Sequence, residues 1–208
     1  MPREVNPGFV RQYVDLFPVI DGPVTVESFD NPLAAIVDSL FLSANMANGP
    51  YAPLLAAFAD GHAHLVTIKR TFAGAADTPG TVTFTGTDNE GNAISDVLIP
   101  SAVDVTVVKS VKAFKTIASI VQAGWVIAAG NDTIEIGQAD EVGLLHAAAA
   151  DADVLTVYDK ASLAATAAFS GQGDGTVSGT YFTPTGANGI LDYTAVYRRN
   201  NATALLNN

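Results

Sequence analysis

Beyond His64 the chain alternates short apolar runs with turn residues, so that stretches rich in Val, Ile, Thr and aromatics are divided by Gly, Pro, Asn and Asp. Runs of this length and composition predict β-strands. They fall at 64–72, 81–87, 93–99, 103–109, 112–121, 125–128, 133–136, 154–158, 176–182 and 191–198. Asp88-Asn89-Glu90-Gly91-Asn92 separates two alternating runs, so 81–99 predicts a hairpin.

Upstream the period changes. Leu33, Ile36, Val37, Leu40 and Phe41 keep the i, i+3, i+4, i+7, i+8 spacing of a packed helix, with Pro32 at its first position and Asn48-Gly49-Pro50 as its stop. Residues 53–58 predict a further helical turn before Asp60-Gly61, and the alanine-rich stretch 144–150 another. Between Met1 and Ile20, Phe9, Tyr13 and Phe17 recur every four residues among polar positions. That spacing suits a short amphipathic helix or an arm laid on a partner, ended by Pro18, and makes these three aromatics the candidate partner contacts.

The resulting fold class is mainly β: antiparallel, sandwich-like β regions with an N-terminal arm and one or two short helices. Many short strands without long helices between them exclude a nucleotide-binding α/β sheet. Three segments follow: an arm and helical segment over 1–63, a first β region over 64–130 and a second over 131–208, the last two divided near Ala129-Gly130 or continuous as one domain.

Composition narrows the function classes. A chain of 208 residues is long enough to bury a core without staples. Zero cysteines remove thiol nucleophiles, Cys-type zinc sites and iron–sulfur ligation. Only 15% of residues are charged, against roughly 25% in an average globular protein. The balance is one-sided, at net −11. Nucleic-acid binding is disfavoured, because Lys69-Arg70 and Arg198-Arg199 are the largest basic clusters and phosphate contacts need more. Mean hydropathy is +0.28, yet no apolar run reaches the roughly 20 residues of a membrane-spanning helix, so a soluble chain with no membrane partner is expected. The first twenty residues carry Arg3, Glu4, Arg11 and Asp15 where an export signal needs an apolar stretch. A hydrophobic content of 49% with so few charges predicts a homo-oligomer, a trimer being the expected form.

Candidate chemistry is sparse. His62 and His64 have the i, i+2 spacing that could share a cation on one strand face, but a third ligand is missing and His146 lies in another segment, so no metal is expected. Gly171-Gln172-Gly173-Asp174-Gly175 lacks the lysine and the helix of a phosphate-cradling loop and reads as a turn. The pairs Asp88/Glu90 and Asp151/Asp153 fall in turns, where bonding of the carboxylate to nearby backbone is the ordinary role. No G-x-S-x-G is present, and Trp125 reads as a core anchor. No enzyme activity, catalytic residue or cofactor is expected.

Three stretches carry a resemblance. Thr83-Phe84-Thr85-Gly86-Thr87-Asp88-Asn89-Glu90-Gly91-Asn92, followed by Lys112-Ala113-Phe114-Lys115-Thr116-Ile117-Ala118-Ser119-Ile120, is similar to a pattern recurrent in β-rich virion proteins of tailed bacteriophages. Ile136-Gly137, Glu141-Val142-Gly143-Leu144 and Asp153-Val154-Leu155-Thr156-Val157-Tyr158 resemble the continuation in the same kind of protein. The close, Gly179-Thr180-Tyr181-Phe182-Thr183-Pro184-Thr185 with Asp192-Tyr193-Thr194-Ala195-Val196-Tyr197, resembles a phage structural ending. The resemblance implies a capsid decoration (cement) protein, commonly trimeric, on the virion exterior. Its partner would be the major capsid protein, with synthesis in the host cytoplasm. A tail, collar or head-fibre component with a host-surface or glycan-binding face is the alternative.

Overall fold

The computed structural model describes residues 24–74, 77–159, 170–184 and 191–200; Phe9, Tyr13 and Phe17 lie outside these. The strands are β1 (Val24–Phe29), β2 (Ile36–Asn45), β3 (Gly49–Tyr51), β4 (Ala63–Thr71), β5 (Thr81–Thr87), β6 (Ala93–Leu98), β7 (Val107–Phe114), β8 (Thr116–Ala123), β9 (Thr133–Gly143), β10 (Val154–Asp159), β11 (Ser170–Gln172), β12 (Tyr181–Thr183) and β13 (Tyr193–Arg198). They form three sheets, ordered β1-β13-β10, β11-β12-β9-β4-β7 with β2 also on β9, and β3-β8-β5-β6. Every pairing is antiparallel.

The alternation in the sequence explains which sheets pack. In β5 the order Thr-Val-Thr-Phe-Thr-Gly-Thr sends Val82 and Phe84 into the core and leaves the threonines half-buried outside. These residues, with Ile117, Ile120 and Leu98 from the neighbouring strands, meet Val66, Ile68, Ile134, Ile136 and Leu40 of the β4/β9/β2 sheet to make the main core. A second core lies where Val142, Leu144 and Phe182 face Tyr193, Ala195, Tyr197 and Val157 of the β1-β13-β10 sheet. Strand β9 thus supplies both cores, Ile134 and Ile136 to one and Val142 to the other. It also pairs with β4 across the Ala129-Gly130 turn, so the two β regions read from sequence share a sheet. Gly137 lies where β2 crosses closest: a Cβ there would sit 1.8 Å from the Ile36 carbonyl oxygen.

The helix expected from Pro32 is a strand. Leu40 alone of its apolar stripe is fully buried, while Ile36 and Val37 face solvent. The register of β2 on β9 shifts twice, between Ile36 and Phe41 and between Phe41 and Ala44. Such irregularities break the two-residue alternation, and the surviving apolar spacing imitates a helical one. The turns expected at 53–58 and 144–150 are not helical either; the first is irregular, with a bridge from Ala57 to Thr116. The one helical element among the described residues is a 3-10 turn, Asp151–Asp153. Accordingly, no described helix is long and apolar enough to cross a membrane.

Candidate interaction surface

The outer face of the β3-β8-β5-β6 sheet is built by register. Opposite Thr83, Thr85 and Thr87 of β5 stand Val97, Ser95 and Ala93 of β6 on one side and Val121, Ser119 and Thr116 of β8 on the other. Directly opposed residues of an antiparallel pair share a face, so these side chains form one surface, and none is charged. Its hydroxyls are largely self-satisfied: Thr85 Oγ1 lies 2.7 Å from Ser119 Oγ, and Thr87 Oγ1 2.7 Å from Thr116 Oγ1. A bulge at Ala118, between the Thr85 and Gly86 pairings, opens a shallow groove of about 520 Å³ along residues 85–87, 93–95 and Ala118. Gly86 is required there, because a Cβ would lie 1.9 Å from the Thr116 carbonyl oxygen.

From the end of β6 the surface runs into an apolar loop. Ile99, Val103 and Val105 are all more than half exposed. The loop is held from beneath by Arg70, which is itself buried: its Nη1 donates to the Ser101 carbonyl at 3.3 Å, and the Arg70 carbonyl accepts the Val105 N–H at 3.0 Å. Asp104 caps the Phe72 N–H at 2.8 Å. Val105 has φ 51°, a left-handed conformation that costs a β-branched residue roughly 1–2 kcal/mol. Strain of this kind persists where the surroundings over-determine it. Replacing Val105 by Asn, which tolerates that conformation, is expected to leave stability unchanged or raise it by up to about 1 kcal/mol in thermal melts. A fall of that size would instead show that the valine side chain holds the loop.

The residues singled out for chemistry are engaged separately. His64 is buried, with Nδ1–H donating to the Ala139 carbonyl at 3.1 Å and Nε2 2.7 Å from Asp60 Oδ2. The His62 ring lies on Phe29 and its Nε2 donates to the Asp30 carbonyl at 3.0 Å, so the two histidines do not converge. His146 stands 3.8 Å from Glu90 in another part of the molecule. Burial pushes the Asp60 carboxyl up, but the bond and charge of His64 and the N–H groups of Leu33 and His62 outweigh it and hold the acid well below the usual carboxylate range. Among the described residues no three His, Asp or Glu side chains are grouped to hold a metal ion.

No protein-family model, curated protein or solved structure matches this chain. Three of the four paired turn carboxylates, Asp88, Asp151 and Asp153, bond nearby backbone, and Glu90 faces the Asn92 amide. Asp88 Oδ1 accepts the Glu90 and Asn92 N–H groups at 2.9 Å each, and Asp151 Oδ1 accepts Gly173 N–H at 2.9 Å, closing the glycine-rich turn. Trp125 packs in the main core beside the Arg70 guanidinium. What sequence reading missed is the buried network of Arg70, Asp132 and Asp77. Arg70 Nε donates to Asp132 Oδ2 at 2.7 Å, and Asp77 Oδ1 accepts the Ala128 N–H at 2.6 Å. That N–H bond, above all, holds the Asp77 carboxyl below its ordinary range. The available signal was weak: an arginine beside a lysine near the end of a strand, with aspartates in two later loops.

Proposed function

We propose that this chain is a non-enzymatic structural protein of a tailed-phage virion, a decoration protein that binds the outer head surface and bridges neighbouring capsid subunits. The observation that carries the reading is the uncharged Thr/Ser/Val face of β8, β5 and β6, on a chain whose net charge is −11. Desolvating such a face costs little, because four of its six hydroxyls already bond one another and no charge must be stripped of water. A strand pitch of about 4.8 Å and a rise of about 3.4 Å per residue make this three-stranded face roughly 14 Å across and 24 Å long. Contact on both partners would then bury on the order of 700 Å², less than a stable one-to-one interface needs. Repetition across an oligomer and across the capsid lattice would multiply so modest a contact by avidity. The excess of acidic groups supports an exterior position away from packaged DNA.

The test is binding of purified protein to capsids of the encoding phage, read by co-sedimentation and by copy number on the particle. Placing lysines at Thr83 and Ser95, whose side chains are outside the core, is expected to leave the fold intact by circular dichroism. It should weaken capsid binding at least about 100-fold, since an unpaired charge would be trapped at the interface. Undiminished occupancy by the doubly substituted protein would move the attachment surface elsewhere. A few copies at one vertex, instead of coverage of the head, would favour a tail, collar or fibre position.

A further inference from the structure

The edges of the three sheets are not alike. Strand β3 is three residues long and contains Pro50, and β11 is also three residues long. The pairing of β10 is broken by a bulge between Val154 and Thr156, and that of β7 by one against Leu65 and Thr67. Strand β6 is covered by β7, whose Val111 N–H donates to Asp96 Oδ2 at 2.8 Å while Lys112 Nζ caps the Ser95 carbonyl at 2.8 Å. Short length, proline, bulges, lysines and inward-pointing charges are the devices that keep sheet edges from pairing with other chains. Of these strand β1 has only the inward-pointing Glu27, whose carboxylate is already engaged within the chain. It reads Val-Thr-Val-Glu-Ser-Phe, pairs with β13 through six consecutive residues without a shift, and among the described residues has nothing on its other edge. Val26, 65% exposed, and Val24, 42% exposed, stand on its outer face.

We propose that β1 pairs antiparallel with β1 of a second copy of this chain about a two-fold axis through Val26, joining two three-stranded sheets into one of six strands. The register follows from three constraints, the first being overlap: an axis at Val26 or Glu27 pairs five of the six residues of β1, one at Thr25 or Ser28 only three. Directly opposed residues must share a face, so the axis passes through a residue and not between two. An axis through Glu27 would set two carboxylates opposite each other, a destabilising arrangement. With the axis at Val26, Val24 opposes Ser28 and Thr25 opposes Glu27 of the other copy, and the outer valines form a continuous apolar stripe. Glu27 keeps its inward bonds from the Tyr197 hydroxyl at 2.9 Å and the Leu145 N–H at 3.1 Å. The ladder is only about 17 Å long, so the pair is weak in dilute solution and gains strength where copies are crowded. An isologous contact of this kind closes at two copies, so it builds even-numbered assemblies, not the trimer expected from sequence.

The absence of native cysteine makes the test clean. In the full-length chain, Val26→Cys places two thiols across the axis at a Cα separation of about 4.5–5.5 Å, within disulfide range. Its oxidation to a dimer is expected to be at least about tenfold faster than that of Val121→Cys on the remote sheet face, because pairing raises the local thiol concentration. A mixture of Val24→Cys and Ser28→Cys chains should form the mixed dimer faster than either forms its own, which reads the register. Circular dichroism confirms that each variant is folded. Equal rates at Val26 and Val121 would overturn the proposal, as would a preference for the Val24 or Ser28 homodimer. So would slower oxidation at Val26, the result expected if residues 14–20 of the same chain cover this edge.

Discussion

Replacing Arg70 with Ala is expected to cost about 3–5 kcal/mol, among the largest effects available in this molecule, because it leaves a buried carboxylate without its partner. Arg70 and Asp132 are 2% and 1% exposed, and the guanidinium does several things at once. Its Nε donates to Asp132 Oδ2 at 2.7 Å, Nη1 to the Ser101 carbonyl at 3.3 Å and Nη2 to the Asp77 carbonyl at 3.1 Å. Its face lies 4.3 Å from the centre of the Phe72 ring. Asp132 in turn accepts the Ala73 N–H at 2.9 Å, so the network ties the ends of β4 and β9 to the loops that follow β4 and β6. For a chain of this size each kcal/mol shifts the melting temperature by roughly 2–4 °C, so a fall of roughly 6–20 °C is expected. Lysine at position 70 should not restore it, since one ammonium cannot reproduce the planar fork and the ring contact. A fall of less than about 1 kcal/mol would mean that water replaces the guanidinium readily and that the network is incidental to the loop.

The parts of the fold that were legible in sequence are those in which one face is buried and the strand is regular. The β5–β6 hairpin lies where the alternation puts it, with Thr87 paired to Ala93 across the Asp88–Asn92 turn. Gly91 takes the positive φ that turn needs, 84°. The boundary between β7 and β8 falls at Lys115, whereas the apolar pattern placed it near Lys109; apart from Lys109, Lys112 and Lys115, residues 107–121 are apolar or hydroxylic, and no Gly, Pro, Asn or Asp marks the break. Residues 125–128 supply only a bridge from Val126 to Thr78, and 176–180 form a turn, because Asp174 and Thr176 bond the local backbone in place of a neighbouring strand. The sequence assigns no element to β1, which lies between the arm and the segment after Asn31, and predicts a helix for β2, since their partners β13 and β9 lie far along the chain and pairing is a tertiary fact. The threonine alternation was visible, but that it forms one uncharged surface with Ser95, Val97, Ser119 and Val121 required the register. The two buried ion pairs, Arg70–Asp132 and Asp60–His64, differ in the same way: the second joins residues four apart, the first residues 62 apart.

Removing the His64 side chain is expected to destabilise the protein at neutral pH by about 3–5 kcal/mol and to change how stability depends on acid. Asp60 and His64 are almost completely buried, and Asp60 also accepts the Leu33 N–H at 2.8 Å and the His62 N–H at 3.0 Å, so it fastens the approach to β2 against the start of β4. Burial opposes ionisation of Asp60, but the His64 bond and charge with the two N–H groups prevail, and its acid constant lies below the unfolded value. The unfolded chain therefore binds the proton more readily, so this contribution to stability is complete above the unfolded carboxyl range near pH 4 and is lost as pH falls through and below it. Glu27 works in the opposite sense. Burial raises it more than the Leu145 and Tyr197 bonds lower it, so its contribution is present below that range and is lost as pH rises. Urea unfolding between pH 7 and pH 2 should show the net slope, and Asp60→Asn, which keeps an acceptor for His64, should flatten the acid limb while costing less at neutral pH than His64→Ala. If Asp60→Asn left the acid limb unchanged, the acid sensitivity would belong to other carboxylates and the Asp60–His64 pair would be a packing contact with no electrostatic role.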